Sequence, residues 1–212
     1  MREHPINQQN NFIMGWYADD TKFCDNLIRI FNSNESVVDG FVGSYGYVDK
    51  NIKDSRDLHF NSESLNNLNY GNIVKTCAKL YFEKYDRAIC TGVYPVEGFN
   101  VQHYNIGGGF KQWHDERQSA DYPSVARHLV FMTYLNDVDD GGTEFLHQNI
   151  KVKAEKGLTL VWPSDWTFTH KSEVSNTKEK WIATGWLHLL SVEEKKQNKF
   201  ESRVEYENRS MQ

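Results

Sequence analysis

Two histidines and a pair of acids are the residues of this chain whose types and spacing could do chemistry. His114 directly precedes Asp115 and Glu116 in "WHDE" (113–116), and His170 lies in "DWTFTHKSEV" (165–174). An imidazole nitrogen and a carboxylate oxygen from one short segment can share a metal if the segment is extended, because alternate side chains of a strand point to the same face. Over an extended 112–117, His114 and Glu116 share a face and Asp115 points the other way. A bulge would turn Asp115 toward the metal instead. His170, which follows the aromatic-rich stretch "GLTLVWPSDWTF", is the candidate third ligand. Two histidines and one carboxylate leave coordination positions open, as a non-haem Fe(II) oxygenase centre requires. A second reading fits the same residues: His114 and Glu116 on a solvated strand edge, with His170 capping a loop.

Lys180 opens "KWIATGW". In a strand it shares a face with Ile182, Thr184 and Trp186, so an apolar inward face begins with a cation. A buried ammonium calls for an anion. The glycines at 107–109 resemble a phosphate loop only superficially. They lack the Lys-Ser/Thr ending and no helix follows, so they are read as a turn. His103, His128, His147 and His188 are read as structural or exposed.

The elements that must position these residues fall into two runs. Residues 1–11 are polar and expected to be loosely ordered. "DDTKFCDNLIRIFNSN" (19–34) places Phe23, Leu27, Ile30 and Phe31 at helical spacing after the capping candidates Asp19, Asp20 and Thr21. "GFVGSYGYVD" (40–49) reads as a strand, 49–69 as a polar loop, and about 70–86 as a second helix with Ile73, Cys77, Leu80, Tyr81 and Tyr85 on one stripe. From residue 92 short strands alternate with turn signals, among them "FNVQHYN", "ARHLVFMTYLND", "GLTLVWP" and "EKWIATGWLHLL", with "DDGG" (139–142) as a turn. Helices first and strands after predict an α+β domain: a double-stranded β-helix, or jelly roll, buttressed by N-terminal helices. The expected organisation is one domain over 1–212. Residues 12–90 form a helical support region, 100–190 a jelly-roll core, and 191–212 a charged tail.

Composition narrows the function classes. Aromatic residues make up 14% of the chain, which suits a β-rich protein with a deep pocket. A net charge of −5 removes a broadly basic nucleic-acid footprint, so no nucleic-acid partner is expected. The three cysteines are widely spaced and form no CxxC pair, which argues against a thiolate zinc site or a disulfide scaffold and for a reducing compartment. The N-terminal stretch has no long apolar region and no run reaches membrane-spanning length, so a soluble, cytoplasmic protein is expected.

The segments "YNIGGGFKQWHDE", "RHLVFMTYLNDVDDGGTEF", "KGLTLVWPSDWTFTH" and "KEKWIATGWLH" occur in this order. The series resembles the prolyl 4-hydroxylase-like family of 2-oxoglutarate- and Fe(II)-dependent dioxygenases over about residues 100–190. A weaker resemblance to small bacterial and phage-type members extends to "WYADDTKFCDNLI" and "KDSRDL". The resemblance implies that His114 and His170 are iron ligands and that Glu116 stands where most of the family has Asp. It implies that Lys180, ten residues after His170, binds the distal carboxylate of 2-oxoglutarate. Tyr134 would bond the same carboxylate, Tyr104 would line its pocket, and Arg127 would lie near substrate. The implied activity is hydroxylation of a side chain, foremost a peptidyl proline, with release of succinate and CO2. Fe(II) and 2-oxoglutarate would be required, and ascorbate is an optional auxiliary. The implied partner is a peptide, protein or small-molecule substrate. The competing functions are a hydroxylase of another residue or of a free small molecule, and a cupin-like module that holds a metal or ligand without redox turnover.

Overall fold

In the computed structural model, which describes residues 1–7, 10–43, 46–89, 93–94, 97–117 and 119–190, the segment "RHLVFMTY" serves two interiors. Leu129 and Phe131 point into one, and Val130, Met132 and Tyr134 into the other. All five are 5% exposed or less, so both faces of this strand are covered and it reads as one apolar run.

The strands, in chain order, are β1 (Arg2–Glu3), β2 (Met14–Tyr17), β3 (Val38–Asp39), β4 (Lys53–Asp54), β5 (Arg56–Phe60), β6 (Val93–Tyr94), β7 (Phe99–Tyr104), β8 (Gly109–Phe110), β9 (Arg127–Tyr134), β10 (Val138–Phe145), β11 (Ile150–Ala154), β12 (Leu158–Pro163), β13 (His170–Ser172) and β14 (Lys180–Leu189). The major sheet runs β1-β2-β12-β9-β14-β7-β5-β3, with β6 also pairing β14. The minor sheet is β11-β10-β13, and β4 pairs with β8. The recorded strand pairings are antiparallel. One core lies between the two sheets, where Val130, Met132, Tyr134, Leu160, Trp162 and Ile182 of the major sheet meet Val138, Phe145, Val152 and Ala154 of the minor. This is the sandwich that the sequence predicts.

Helices α1 (Lys22–Asn32), α2 (Ser62–Asn67) and α3 (Asn69–Lys84) precede most of the sandwich strands in the chain. Phe23, Leu27 and Phe31 of α1 and Tyr70, Val74, Cys77 and Tyr81 of α3 join a second core with Leu129, Phe131, Trp181 and Ala183, on the outer face of the major sheet. Tyr70 is held within it by Thr133 Oγ1 at 3.0 Å and by donation to the Ala183 carbonyl at 3.2 Å. Thus α3 braces β9 and β14 from behind, while the inner faces of these strands are left for other work. Among the described residues no helix is long and apolar enough to cross a membrane.

Several local readings change. Part of the N-terminal segment is tied down: β1 (Arg2–Glu3) pairs with β2, and β2 with β12. The described residues of "GFVGSYGYVD" form an isolated Val42–Tyr47 bridge rather than a strand, with Gly43 and Gly46 at positive φ. The polar 49–69 stretch contains β5, which pairs with β7. Its inward side was hidden from an apolar count because a charged cluster fills it. Lys53 Nζ donates to Asp57 Oδ2 at 2.6 Å and Ser55 Oγ to Asp57 Oδ1 at 2.8 Å, all three being buried. Strands β1 to β5 therefore supply sheet edges as well as the helices their support. Cys90 and the expected charged tail, 191–212, lie outside the described residues.

"DDGG" is no turn but the irregular middle of β10. Val138 pairs with Ala154 and Thr143 with Val152, so residues 139–142 bulge against Lys153 alone. A Cβ on Gly142 would sit 2.0 Å from the Val152 carbonyl oxygen, a backbone atom with little room to yield. Gly142→Ala is expected to destabilise the fold by about 1–3 kcal/mol, the range for overpacking. A urea titration should show a lower midpoint with an unchanged slope; an unchanged midpoint would mean that the bulge relaxes freely.

Candidate metal and co-substrate site

His170 opens β13, opposite Phe145 of β10. His114 adds one further rung to this minor sheet. Its N–H donates to the His170 carbonyl at 3.0 Å and accepts the return bond at its own carbonyl at 2.8 Å. Directly opposed residues carry their side chains on one face, and the two rings lie 4.3 Å apart. Phe110 stacks on His114 at 3.6 Å, and Trp162 meets His170 edge-on at 5.2 Å. Each ring is also fixed by its Nδ1. That of His114 lies 3.0 Å from the Gln112 carbonyl, and that of His170 lies 3.0 Å from the Phe168 carbonyl. A carbonyl can only accept, so both Nδ1 atoms carry a proton, and in the neutral ring Nε2 is the atom left with a lone pair.

The acid beside them is Glu116. Its Oε1 lies 3.3 Å from His170 Nε2 and 3.8 Å from His114 Nε2. Asp115 turns away and its Oδ1 accepts the Arg117 N–H at 3.2 Å. The backbone keeps strand geometry for a single rung at His114 and bends at Glu116, yet the alternation still decides which acid faces inward. One donor atom from each of His114, Glu116 and His170 lies within 4.8 Å of the others. Burial pushes His114 down to about 3, with the neighbouring His170 adding to the effect, so its imidazole is neutral at physiological pH. Burial would raise Glu116, but the hydrogen bond from His170 and the charges of His170 and His114 that act when those rings are protonated, together with the Arg127 charge, hold it at about 2. Two imidazole Nε2 atoms and an ionised carboxylate brought this close together fit a cation, and the donor types fit divalent iron.

Lys180 is 3% exposed at the start of β14, on the inner face with Ile182. Its Nζ donates to Ser172 Oγ, to the Glu173 carbonyl at 2.8 Å and to the Gly142 carbonyl at 3.4 Å. The last of these lies in the β10 bulge and also accepts the Glu173 N–H at 2.9 Å. Its recorded hydrogen-bond acceptors are thus neutral oxygens, not carboxylates. Burial lowers its ammonium to about 8, with Glu173 and Asp140 acting weakly the other way. Tyr104 pairs with Lys180 across β7 and β14, with the ammonium 5.5 Å from its ring centre, and its hydroxyl donates to Gln102 Oε1 at 2.6 Å. Tyr134, buried in the same core, shares a 2.6 Å hydrogen bond with Thr143 Oγ1. Lys180, Tyr104 and Tyr134 thus occupy one interior.

Arg127 is engaged differently from the sequence expectation. Its Nε and Nη2 donate to the two oxygens of Glu97 at 2.6 and 2.5 Å, and its Nη1 donates to the Glu116 carbonyl at 3.0 Å. The guanidinium lies on the Trp186 ring, 3.6 Å from its centre. Arg127 thus braces Glu116, the acid of the candidate triad, through its main-chain carbonyl. His188 also reaches Glu97, at 2.7 Å. Burial would raise Glu97, but Arg127 and His188 hold it at about 2. The sequence places Trp186 on the inward face without a task; in the structure its Nε1 donates to Glu116 Oε2 at 3.0 Å. Glu97 carried no signal at all, since it meets Arg127 across thirty residues and lies in a turn before β7.

Residues 99–188 match the 2OG-Fe(II) oxygenase superfamily. The matched 2OG-Fe(II) oxygenase segment runs from β7 through most of β14 and contains all three converging residues. The chain is also similar to a curated protein, probable prolyl 4-hydroxylase 9 of Arabidopsis thaliana, at 31% identity over 123 residues, 46% of this chain and 43% of that one. The alignment thus spans less than half the length of that relative. In fold, the chain is similar to the viral collagen prolyl hydroxylase of Paramecium Bursaria Chlorella virus-1, solved with 2OG. The TM-score is 0.63 at 16% identity, covering 85% of this chain and 97% of the other. It is similar as well to a prolyl hydroxylase of Trichoplax adhaerens, solved with a hypoxia inducible factor peptide fragment. There the TM-score is 0.66 at 12% identity, covering 86% of each chain.

Proposed function

We propose that this protein is an Fe(II)- and 2-oxoglutarate-dependent dioxygenase that hydroxylates a peptidyl proline. The observation that carries the reading is the approach of two imidazole nitrogens and one carboxylate oxygen to within 4.8 Å of one another. Lys180 adds to it, since its buried ammonium lies in the same sandwich without a recorded carboxylate acceptor. His114, Glu116 and His170 would hold the iron, and Lys180 would take the distal carboxylate of 2-oxoglutarate, with Tyr104 and Tyr134 lining that end. Bound iron would supply the redox chemistry, in which O2 and 2-oxoglutarate become succinate and CO2 while a C–H bond of the substrate becomes C–OH. The protein's share is orientation and exclusion of water, because the site is walled by Phe110, Trp162 and Phe145. The prolyl peptide is favoured as substrate by the likeness to the Arabidopsis and Trichoplax proteins.

The test is succinate release from 2-oxoglutarate with Fe(II) and a peptide library, with mass spectrometry of the peptides. Stoichiometric succinate and a 16 Da gain on proline are expected, the mass of one oxygen atom. Equal succinate with the gain on another residue or on a free small molecule would replace the substrate. Tight binding of metal and 2-oxoglutarate without succinate under any condition would leave a non-redox binding module.

A further inference from the structure

We infer that Trp186 sets how Glu116 meets a metal, holding back Oε2 so that only Oε1 is presented beside the two histidines. This deepens the iron reading of the triad and rests on it. A glutamate reaches one methylene further than an aspartate, so both of its oxygens can swing onto one ion. In this chain they are kept apart. Oε1 faces the Nε2 atoms of His170 and His114, at 3.3 and 3.8 Å, while Oε2 accepts the indole N–H at 3.0 Å.

The indole is itself held. The Arg127 guanidinium covers its face at 3.6 Å, and Arg127 is tied to Glu97 by two donors of its fork, Nε and Nη2. The same guanidinium donates to the Glu116 main-chain carbonyl at 3.0 Å. One stack of Arg127 on Trp186 therefore grips residue 116 at both ends, main chain and distal oxygen.

The consequence is a count of free positions. Two histidines and one carboxylate oxygen leave three of six positions on an octahedral ion, enough for a chelating keto acid and one further ligand. A carboxylate bound through both oxygens would leave two, both needed by the keto acid. Trp186 is thus a positioning residue that keeps the third position open, in a chain whose ligand is long enough to close it.

The test uses Co(II) as a spectroscopic stand-in, titrated anaerobically into the full chain without 2-oxoglutarate. The parent, Trp186→Phe, Glu116→Asp and the double variant are compared for affinity and for visible absorption, which reports coordination number. Trp186→Phe is expected to alter the spectrum and to weaken binding by roughly 10- to 100-fold, the range for removing an outer partner of a metal ligand. Aspartate is too short to serve metal and indole together, so Trp186→Phe should change little once residue 116 is Asp. That coupling is a readout which a packing role would not produce. Should Trp186→Phe fold poorly, benzothienylalanine at 186 replaces N–H by sulfur at constant shape, and the same spectral change is expected. An unchanged spectrum and affinity, or an equal loss in both backgrounds, overturns the inference while the triad stands. If Glu116→Ala binds Co(II) as the parent does, the triad reading itself has failed and the inference goes with it.

Discussion

His170→Ala and His114→Ala are expected to lose Fe(II) binding altogether, and with it all 2-oxoglutarate turnover. Each removes an Nε2 lone pair from a point where the described chain offers three donors. The loss should exceed the roughly 10- to 100-fold typical of an outer partner, because a direct ligand is gone. The fold should persist, since the rung between the two residues is made by main-chain atoms that alanine retains. Glu116→Ala should behave like the histidine variants. Asp115→Ala should bind iron as the parent does, because Asp115 turns back to the Arg117 N–H. Thermal melts supply a second readout. A metal that binds only the folded state stabilises it by about 2.7 kcal/mol at a hundredfold excess over Kd. The parent and Asp115→Ala should gain that shift on adding Fe(II), and the other three variants should not. Full turnover in either histidine variant, with metal bound as in the parent, would remove the triad.

How much of this was legible in the sequence depended on where side-chain contacts close. The jelly-roll order was readable because β9, β12 and β14 are buried on both faces and write themselves as long apolar runs. The pairing of His114 with Glu116 was readable because strand alternation is a local rule that survives even one rung of extended backbone. Strand β5 was not readable, since its inward residue Asp57 is charged and is stabilised by Lys53 from β4, a contact that exists only after folding. The bulge at 139–142 was read as a turn because Gly-Gly signals both, and only the partner strand decides between them. Arg127 illustrates the limit for function. Its position could be matched, but its partners Glu97, Glu116 and Trp186 come from three distant segments, so what the guanidinium does was invisible until they met.

Lys180→Ala should bind Fe(II) about normally yet need far more 2-oxoglutarate. The iron is assigned to other side chains, and the removed ammonium lies on β14 with acceptors of its own, Ser172 and the carbonyls of Glu173 and Gly142. Those oxygens solvate the cation without neutralising it, so a dicarboxylate that reaches it gains a charge-assisted bond in a site shielded from water. Loss of one partner of such a pair is worth about 2–4 kcal/mol, or roughly 30- to 1000-fold in apparent affinity. Lys180→Arg should restore only part, because a planar fork does not fit acceptors arranged around a compact ammonium. The ionisation of Lys180 gives an independent check with a definite sign. Burial holds its folded pKa near 8, below the usual 10.5. Without 2-oxoglutarate, the unfolded chain therefore binds more protons than the folded one between these values, and this group makes the fold more stable as pH rises through that window. Binding of the dicarboxylate requires the charged form. The parent's Kd for 2-oxoglutarate should be flat below pH 8 as regards this group and rise by up to about tenfold per unit above it. Lys180→Ala should show neither the stability slope nor this pH limb. Calorimetric titration of 2-oxoglutarate into the metal-loaded protein across pH 6–10 measures the affinity, and urea melts measure the slope. If Lys180→Ala leaves 2-oxoglutarate affinity unchanged at neutral pH, the lysine is structural, and the case for a dicarboxylate co-substrate loses its cationic anchor.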